Sequence, residues 1–333
     1  MAQHMKYYYE LTISCSPHVH SKTTTRTIMR DVILALTPAL LGSVYFFGPR
    51  ALVVTLISVA SCIFFEWAWC RLMKQHCKIY DLSAVVTGML LAFVCPVTIP
   101  YWMIVVGDCF AIVLVKMLFG GIGKNVVNPA LAARAFLFSW PAAMSAWVQV
   151  GWQNRAGIVS AADAITAATP MAKLHEGVLP EVSILDMFLG NVGGSLGETS
   201  AALLLLGFGY LLLRKIITPR IPVAYLGTVA VLALLFPMGN DRLAWMAAQL
   251  CGGGLMLGAI FMATDYVTSP VTKLGQVIYG IGCGVLTVLI RYFGSYNEGV
   301  SYAILIMNFC VVLLDRIGRP KKFGTRKKEA AGK

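Results

Sequence analysis

Charged side chains are scarce in this sequence. Only 13% of its 333 residues are Asp, Glu, Lys or Arg, and 58% are hydrophobic. Soluble domains contain about a quarter charged residues and about half apolar residues. The deficit of charge excludes an ordinary soluble domain and predicts an all-α polytopic membrane protein.

The sequence also lacks the residue spacings that hold metals or haem. Its nine cysteines form no Cys-x-x-Cys pair or other ligand cluster, and most fall in apolar segments, as small buried side chains do. The five histidines lie outside the apolar segments, so a haem held by two histidines within the membrane is not expected. We predict no metal site.

Nucleic acid is not an expected partner, although the net charge is +12. The basic residues cluster in short connections between apolar segments and in the C-terminal tail, a pattern that reflects membrane topology. The N-terminal segment is polar and shows no cleavable signal peptide. The first apolar segment is therefore expected to start membrane insertion.

About ten apolar segments approach the length of a membrane-spanning helix, which needs about 20 residues. Five precede a long polar connection and five follow it. We predict a cytoplasmic N-terminal segment, a first five-helix repeat, an extracytoplasmic loop, a second five-helix repeat and a basic cytoplasmic tail. In order, these parts are residues 1–27, 28–147, 148–198, 199–317 and 318–333. The apolar segments are residues 28–47, 51–70, 82–95, 101–118, 129–147, 199–213, 223–238, 243–262, 277–293 and 300–317.

The lysines and arginines indicate the orientation of the chain in the membrane. They lie mainly in alternate connections, around residues 22–30, 71–78, 116–124 and 214–220, and in the C-terminal tail. Because basic loops stay in the cytoplasm, both termini are predicted to be cytoplasmic. The same argument places residues 148–198 outside the cytoplasm.

A short internal repeat links the two halves of the chain. Residues 87–100 match residues 257–270, with Gly88, Val97, Thr98 and Pro100 corresponding to Gly258, Val267, Thr268 and Pro270. Because each half has five spans, a duplicated half is inverted in the membrane, and such repeats contain broken helices that line a central site. The alternative is coincidence, since Gly, Thr and Pro recur at helix breaks in membrane proteins.

Asn128 lies in a glycine-rich connection, residues 120–134, with the sequence Gly-Gly-Ile-Gly-Lys-Asn-Val-Val-Asn-Pro-Ala-Leu-Ala-Ala-Arg. It can cap a helix whose first turn holds Pro129, and an exposed helix N-terminus attracts anions. The alternative is a purely structural re-entrant turn.

Two aspartates interrupt apolar segments. Asp265, with Thr264 and Thr268, can bind a cation or a polar ligand, or it can simply cap the backbone at a helix boundary. Asp108 lies well inside an apolar segment. An ionisable side chain is costly at that depth and indicates an ion route or an internal ion pair. Glu66, in contrast, is close enough to a segment end to reach the membrane interface.

Residues 163–169, Asp-Ala-Ile-Thr-Ala-Ala-Thr, lie in the long polar connection. Threonine hydroxyls are poor nucleophiles without a base or a metal. The nearest histidine in sequence, His175, is not placed for a recognised triad. Taken alone, this segment is an Ala-rich turn before a helix.

Four motifs together resemble one family. They are residues 120–138, residues 163–169, residues 194–200 with the sequence Gly-Ser-Leu-Gly-Glu-Thr-Ser, and residues 261–276. The whole chain resembles the D subunit of the Rnf electron-transport complex and, more distantly, the B subunit of the sodium-pumping NADH:quinone oxidoreductase. The resemblance implies a membrane subunit that passes electrons within a complex linking ferredoxin to NAD, coupled to sodium or proton export.

The resemblance also implies covalently bound FMN. In the family, a motif similar to Asp-x-x-Ser/Thr-Gly-Ala-Thr carries FMN joined through its phosphate to the final threonine hydroxyl. That residue is Thr169 here, and the supporting positions are Asp163, Thr166 and Ala168. Ala167 stands where the family usually has Gly, and Tyr266 stands where Pro is expected.

Other expectations follow from the same resemblance. A second, noncovalent flavin such as riboflavin is expected near Asn128 or Asp265. The expected partners are the other subunits of the Rnf complex, a flavin transferase that attaches the FMN, and membrane lipid. The expected location is the bacterial inner membrane, with the flavin loop on the periplasmic or extracytoplasmic side.

Two other functions remain open from the sequence. Inverted five-helix repeats with broken helices and an intramembrane Asp also occur in solute carriers, so a non-redox transporter or channel is the main alternative. A purely structural membrane subunit is the other.

Overall fold

The computed structural model describes residues 23–74, 79–148, 169–198, 200–239, 241–294, 296 and 298–317. The regular elements within these ranges are all helices. The predicted all-α fold class is therefore confirmed for the described part of the chain.

The helices of the first half are separated by short turns. A single 3₁₀ turn, Ile79–Asp81, precedes the third helix, and the fourth continues directly as a π-helix, Phe110–Met117. The helices are α1 (Thr25–Phe47), α2 (Pro49–Leu72), α3 (Ser83–Phe93), α4 (Tyr101–Cys109), α5 (Pro129–Leu137) and α6 (Pro141–Met144).

The second half begins with two short helices before the longer apolar ones. Its sixth helix again continues as a π-helix, Gly258–Met262. The helices are α7 (Pro170–His175), α8 (Ile184–Leu189), α9 (Ala201–Leu213), α10 (Arg220–Leu235), α11 (Arg242–Cys251), α12 (Leu255–Leu257), α13 (Lys273–Phe293) and α14 (Val300–Ile317).

Four described helices are long and apolar enough to cross a membrane: α1, α2, α13 and α14. A fifth span results if α11 and the segment Leu255–Met262, which are bent by 63° at their junction, are counted together. Helices α3, α9 and α10 are apolar but shorter. The described residues thus contain four or five spans by length, and the arrangement of ten spans in two inverted repeats stays a prediction.

Helix breaks explain why fewer helices reach the spanning length. Helix α3 is buried along most of its length and ends at Phe93, followed by an irregular stretch to Pro100. The π-helix after α12 is likewise buried and gives way to an irregular stretch at residues 263–272. Both predicted breaks are therefore present in the fold.

Gly88 and Gly258, which correspond in the internal repeat, each allow a neighbouring helix to approach closely near a helix break. A Cβ added at Gly88 would lie 2.8 Å from the Ser58 carbonyl oxygen. A Cβ added at Gly258 would lie 2.3 Å from Val300 Cγ1. Because no side chain fits in either place, these two positions require glycine for packing rather than for backbone conformation.

Helices that are near in sequence pack together in the core, and one pair, α1 and α9, joins the two halves of the chain. Helix α1 packs on α9, α2 packs on α3 and α4, and α13 packs on both α10 and α14. Leu36, Phe93 and Ile260 lie in this core, whereas Leu56 and Phe309 are exposed on the outside. Large exposed apolar side chains are what a surface that faces lipid presents.

The contact between α1 and α9 gives a stability prediction. Gly207→Ala would place a Cβ 2.3 Å from the Ala35 carbonyl oxygen, whereas a Cβ at Gly209, on the same helix, meets no atom within 4 Å. Over-packing costs about 1–3 kcal/mol, so Gly207→Ala should lower the thermal unfolding temperature in detergent. Gly209→Ala is the control and should leave that temperature unchanged or raise it. Equal effects would contradict the proposed contact.

Candidate functional site

Thr169 is the one residue of the predicted attachment site that the structure places. Asp163, Thr166 and Ala168 lie outside the described residues. Thr169 directly precedes α7, is only 6% exposed, and its hydroxyl does not cap that helix. His175, at the other end of α7, has its Nδ1 atom 2.7 Å from the Arg291 carbonyl oxygen and ties α7 to α13.

A small cavity with about 340 Å³ of empty space lies beside Thr169. It brings the motif at residues 194–200 next to Thr169, although α7 and α8 separate the two in sequence. The junction between α11 and α12 forms another wall. The polar and glycine residues of the lining are Thr169, Gly193, Gly194, Ser195, Glu198, Gly252, Gly253 and Glu298.

A buried ion cluster adjoins this cavity through two lining residues, Glu198 and Glu298. The Arg134 guanidinium, on α5, donates to Glu198 Oε1 at 3.0 Å and to Glu298 Oε2 at 2.5 Å. It also donates to the Ser301 hydroxyl at 3.1 Å. Arg134 is 2% exposed, so this single cation joins α5, the segment before α9 and the start of α14.

A second buried arginine holds the neighbouring helix break. Arg291 donates to the Gln249 carbonyl oxygen at 2.6 Å and to its side-chain oxygen at 2.9 Å. It also donates to the Gly252 carbonyl oxygen at 3.0 Å. These bonds satisfy carbonyl groups that the interrupted helix leaves without a helical partner, as buried backbone in a membrane requires.

Two polar atoms of the Thr169 cavity are suited to binding a ligand. Ser195 Oγ and Glu198 Oε2 are buried and form no hydrogen bond of ordinary geometry within the described part of the chain. A buried polar atom without a partner costs about 1–3 kcal/mol. A hydroxyl that can donate to a phosphate, beside the Thr169 side chain, fits a phosphate-linked cofactor.

Sequence reasoning missed Arg134, Glu198 and Glu298. A signal was present, because Arg134 and Glu198 lie within the motifs at residues 120–138 and 194–200. A charged side chain inside or beside an apolar segment implies a buried partner. The sequence could not show that these residues pair with one another.

A larger cavity brings together the two residues expected near a noncovalent flavin. It has about 840 Å³ of empty space, and both Asn128 and Asp265 line it. Most of its wall is apolar. The other polar lining residues are Ser83, Thr87, Lys116, Asn125, Thr264 and Tyr266.

Asn128 and Asp265 also support the backbone around this cavity. The Asn128 side chain accepts from the backbone N–H groups of Ala130 and Leu131, at 3.0 and 3.4 Å, and so caps α5. Asp265 accepts from the Thr268 hydroxyl at 3.1 Å and from the Val267 N–H at 3.5 Å. Asn128 and Asp265 therefore hydrogen-bond to the backbone and also line the cavity.

Two further contacts involve the residues around the larger cavity. With its amide oriented to suit its neighbours, Asn308 accepts from the Asn128 N–H and donates to the Thr268 carbonyl oxygen, both at 3.1 Å. It thereby links the two motif segments. Tyr266, which stands where Pro was expected, donates its hydroxyl to the Ile216 carbonyl oxygen.

Asp108 is fully buried between α2 and α4. Ser58 donates to one carboxylate oxygen at 2.7 Å, and the Cys62 thiol donates to the same oxygen at 3.2 Å. Ser61 donates to the other oxygen. The carboxyl group thus has hydrogen-bond partners from α2 on both of its oxygens.

Glu66 does not reach the membrane interface as the sequence suggested. It is 3% exposed and pairs with Lys116 at 2.7 Å. Lys116 also donates to the Ser83 hydroxyl at 2.6 Å. The expectation was wrong because the π-helix Phe110–Met117 presents a buried cation to α2, which keeps the carboxylate inside.

Comparison with known proteins places the chain in a family. Residues 12–324 match the model of the NQR2, RnfD, RnfE family. The chain is a member of this family of membrane proteins.

Curated relatives cover nearly the full length. The D subunit of the Na(+)-translocating ferredoxin:NAD(+) oxidoreductase complex of Acetobacterium woodii is 47% identical over 95% of this chain and 96% of the relative. The D subunit of the proton-translocating ferredoxin:NAD(+) oxidoreductase complex of Clostridium ljungdahlii is 41% identical over 95% of this chain and 97% of the relative. The D subunit of the ion-translocating oxidoreductase complex of Stutzerimonas stutzeri is 38% identical over 91% and 93%. The resemblance inferred from the four motifs is confirmed.

The Arg134 cluster gives a second prediction. Removing one partner of a buried ion pair costs about 3–5 kcal/mol, so Arg134→Gln should strongly lower the thermal unfolding temperature. Lys173 and Glu181, whose side chains are 40% and 90% exposed, pair at 2.8 Å. Lys173→Gln is the control, because exposed pairs contribute about 0–1 kcal/mol. A loss no larger for Arg134→Gln than for the control would show that the cluster does not hold these segments.

Proposed function

We propose that this chain is the membrane-embedded D subunit of an ion-translocating oxidoreductase complex. In this role it relays electrons between the ferredoxin and NAD branches, coupled to sodium or proton transport. The observation that carries the proposal is the match to the D subunits of such complexes along nearly the whole chain, at up to 47% identity. The other subunits of the complex are its partners.

The proposal includes FMN attached to Thr169 through a phosphoester, made by a flavin transferase. The buried position of Thr169 supports this assignment, as does the buried Ser195 hydroxyl beside it, which forms no hydrogen bond of ordinary geometry within the described residues. Ser195 can donate a hydrogen bond to the phosphate, and Arg134 offsets the charge of the two nearby carboxylates. When bound, the flavin supplies the redox chemistry, taking one or two electrons.

The larger cavity is our candidate for a second, noncovalent flavin such as riboflavin. Ligand cavities typically have mainly apolar walls and a few polar groups that fix the orientation of the ligand. The Asn128 amide and the Asp265 carboxylate line such a cavity here. They provide a donor and an acceptor for the polar edge of a ring system.

The finer membrane arrangement is part of the proposal. Ten spans in two inverted five-helix repeats are supported by the helix breaks after Phe93 and Met262. Both termini are cytoplasmic and the attachment loop is extracytoplasmic in a bacterial inner membrane, as the distribution of basic residues predicts.

A cysteine introduced at Val182 should then react with an impermeant maleimide from outside, and reaction only from the cytoplasmic side would refute this orientation.

A non-redox transporter or channel is the alternative function. The open cavity and the buried polar cluster around Asp108 favour it, because broken helices and an intramembrane carboxylate are also parts of solute carriers. The two functions differ in whether the chain carries a flavin.

Flavin content tests the proposal directly. We expect the full chain, expressed with an active flavin transferase, to show a fluorescent band on a denaturing gel. Thr169→Ala should abolish this band, because it removes the hydroxyl that the phosphate needs. Thr228→Ala, which removes a threonine hydroxyl bonded to the Ala224 carbonyl oxygen in α10, is the control and should keep it. A wild-type chain without attached flavin would leave the transporter as the better proposal.

The noncovalent flavin has its own test. Denaturation should release a second flavin from the wild-type chain. Ile28→Trp, which fills the larger cavity from α1, should lower the released flavin several-fold and leave the attached flavin unchanged. Leu34→Trp, on the exposed side of the same helix, should change neither. Full release from the Ile28→Trp chain would exclude this cavity as the binding site.

A further inference from the structure

One face of α2 carries a buried polar series. Ser58, Cys62 and Glu66 follow one another at four-residue spacing, so their side chains share one side of the helix. None is more than 3% exposed. Leu56 and Phe64, on the other side, are more than half exposed. The polar side of this spanning helix therefore faces α3 and α4 inside the protein, and its apolar side faces outward.

Asp108 lies at one end of the series. Its carboxyl group is contacted by Ser58, Ser61 and Cys62, all from α2. The Ser58 hydroxyl also lies 2.9 Å from the Gly88 carbonyl oxygen of α3. The site is thus closed by three helices.

The other end of the series reaches the larger cavity. Glu66 contacts the Lys116 amine at 2.7 Å, and that amine contacts the Ser83 hydroxyl at 2.6 Å. Ser83 in turn donates to the Asp81 carboxylate at 2.6 Å. Lys116 and Ser83 line the cavity, and Asp81 is partly exposed in the turn before α3. A hydrogen-bonded chain therefore runs from Glu66 to the cavity.

Cys62 joins the two ends. Its thiol lies 3.2 Å from Asp108, and Glu66 follows one helical turn later, about 6 Å along the axis. A side-chain rotation or one water molecule bridges a gap of this size. The polar groups from Asp81 to Asp108 therefore form one series with a single gap, between Cys62 and Glu66.

The donors around Asp108 suit a proton better than a sodium ion. Hard metal ions require several oxygen ligands, but one of the three side chains that contact the Asp108 carboxyl group is the Cys62 thiol, a soft group. The other two, the Ser58 and Ser61 hydroxyls, donate hydrogen bonds to the carboxyl oxygens. Hydroxyl, amine and carboxyl groups can pass a proton along hydrogen bonds.

The charged and titratable groups of the neighbouring helices do not change the preference of the Asp108 site for a proton. Helix α3 has no titratable side chain in its sequence, and Arg134 on α5 is engaged by Glu198 and Glu298. The titratable groups that interact with Asp108 are Cys62 from α2, Cys109 from its own helix and Cys95 from the segment after α3, and Glu66 and Lys116 interact with Cys62.

We propose that Asp108 is a proton-binding site, loaded from the larger cavity through Ser83, Lys116, Glu66 and Cys62. In the loading step, the Asp108 carboxylate gains one proton that hydronium in the cavity gives up, and no electron moves. This deepens the ion-coupling part of the proposed function and rests on it for its physiological role, but proton binding itself does not depend on flavin.

Carbodiimide labelling tests whether Asp108 binds a proton. Dicyclohexylcarbodiimide adds to protonated carboxyl groups in apolar surroundings, and mass spectrometry of the Asp108 peptide measures the adduct in the complete complex in vesicles. We expect the adduct to fall about tenfold per pH unit above the titration midpoint and to be unaffected by sodium at constant ionic strength. Asp108→Asn should abolish it, and Asp315→Asn, near the end of α14, should not. Protection by sodium, or no adduct at any pH, would overturn the proposal.

The route is tested by a pH step on one side of the vesicles. The double variant Glu66→Gln/Lys116→Gln removes both charges together and leaves no buried charge unpaired. It should slow the change in adduct at least about tenfold, the scale of losing a positioned proton-transfer group, and keep the final level. An unchanged rate would overturn the route.

Transport and flavin measurements separate this proposal from the electron-transfer role. In the complex, Asp108→Asn should slow ion export more than electron transfer, and equal effects would contradict the coupling. Attached flavin should be retained in every Asp108 variant. Loss of the wild-type flavin band would refute the flavin assignment alone, because the adduct reports proton binding directly.

Discussion

The contact of Arg134 with two carboxylates is the interaction on which the arrangement of the two halves depends. Three segments that are distant in sequence meet at this one guanidinium: α5, the stretch before α9 and the stretch before α14. In a protein surrounded by lipid, apolar packing alone gives little preference for one helix neighbour over another. Buried charges with fixed partners supply that preference, and here they also border the cavity of Thr169.

The irregular segments between helices form walls of both cavities of this chain. The break between α11 and α12, held by Arg291, forms a wall of the Thr169 cavity. The segments around Asn128 and Asp265 form the wall of the larger cavity. Because unpaired backbone is tolerated at membrane depth only where protein or a water-filled cavity surrounds it, the breaks and the cavities coincide.

The sequence was sufficient for the features that depend on local composition. The scarcity of charge predicted the all-α class, and the repeated Gly, Thr and Pro pattern located the breaks after Phe93 and Met262. Partnerships across the chain were not readable. Glu66 was assigned to the interface because it lies close to a segment end, and its cation, Lys116, is 50 residues away in the sequence. The pairing of Arg134 with Glu198 spans 64 residues. Helix length was overestimated for segments 82–95, 129–147 and 243–262, because apolar composition continues there through backbone that is no longer in one helix.

The π-helix Phe110–Met117 determines how charge is balanced within the bundle. A π turn holds more residues than an α turn, so each extra residue shifts the following side chains by about 100° around the axis. Without that shift, Lys116 would point elsewhere, and Glu66 would be a buried anion with no cation opposite it. The position of the Lys116 charge thus depends on the winding of eight backbone residues. The π-helical winding of this segment determines whether the Glu66 carboxylate is neutralised.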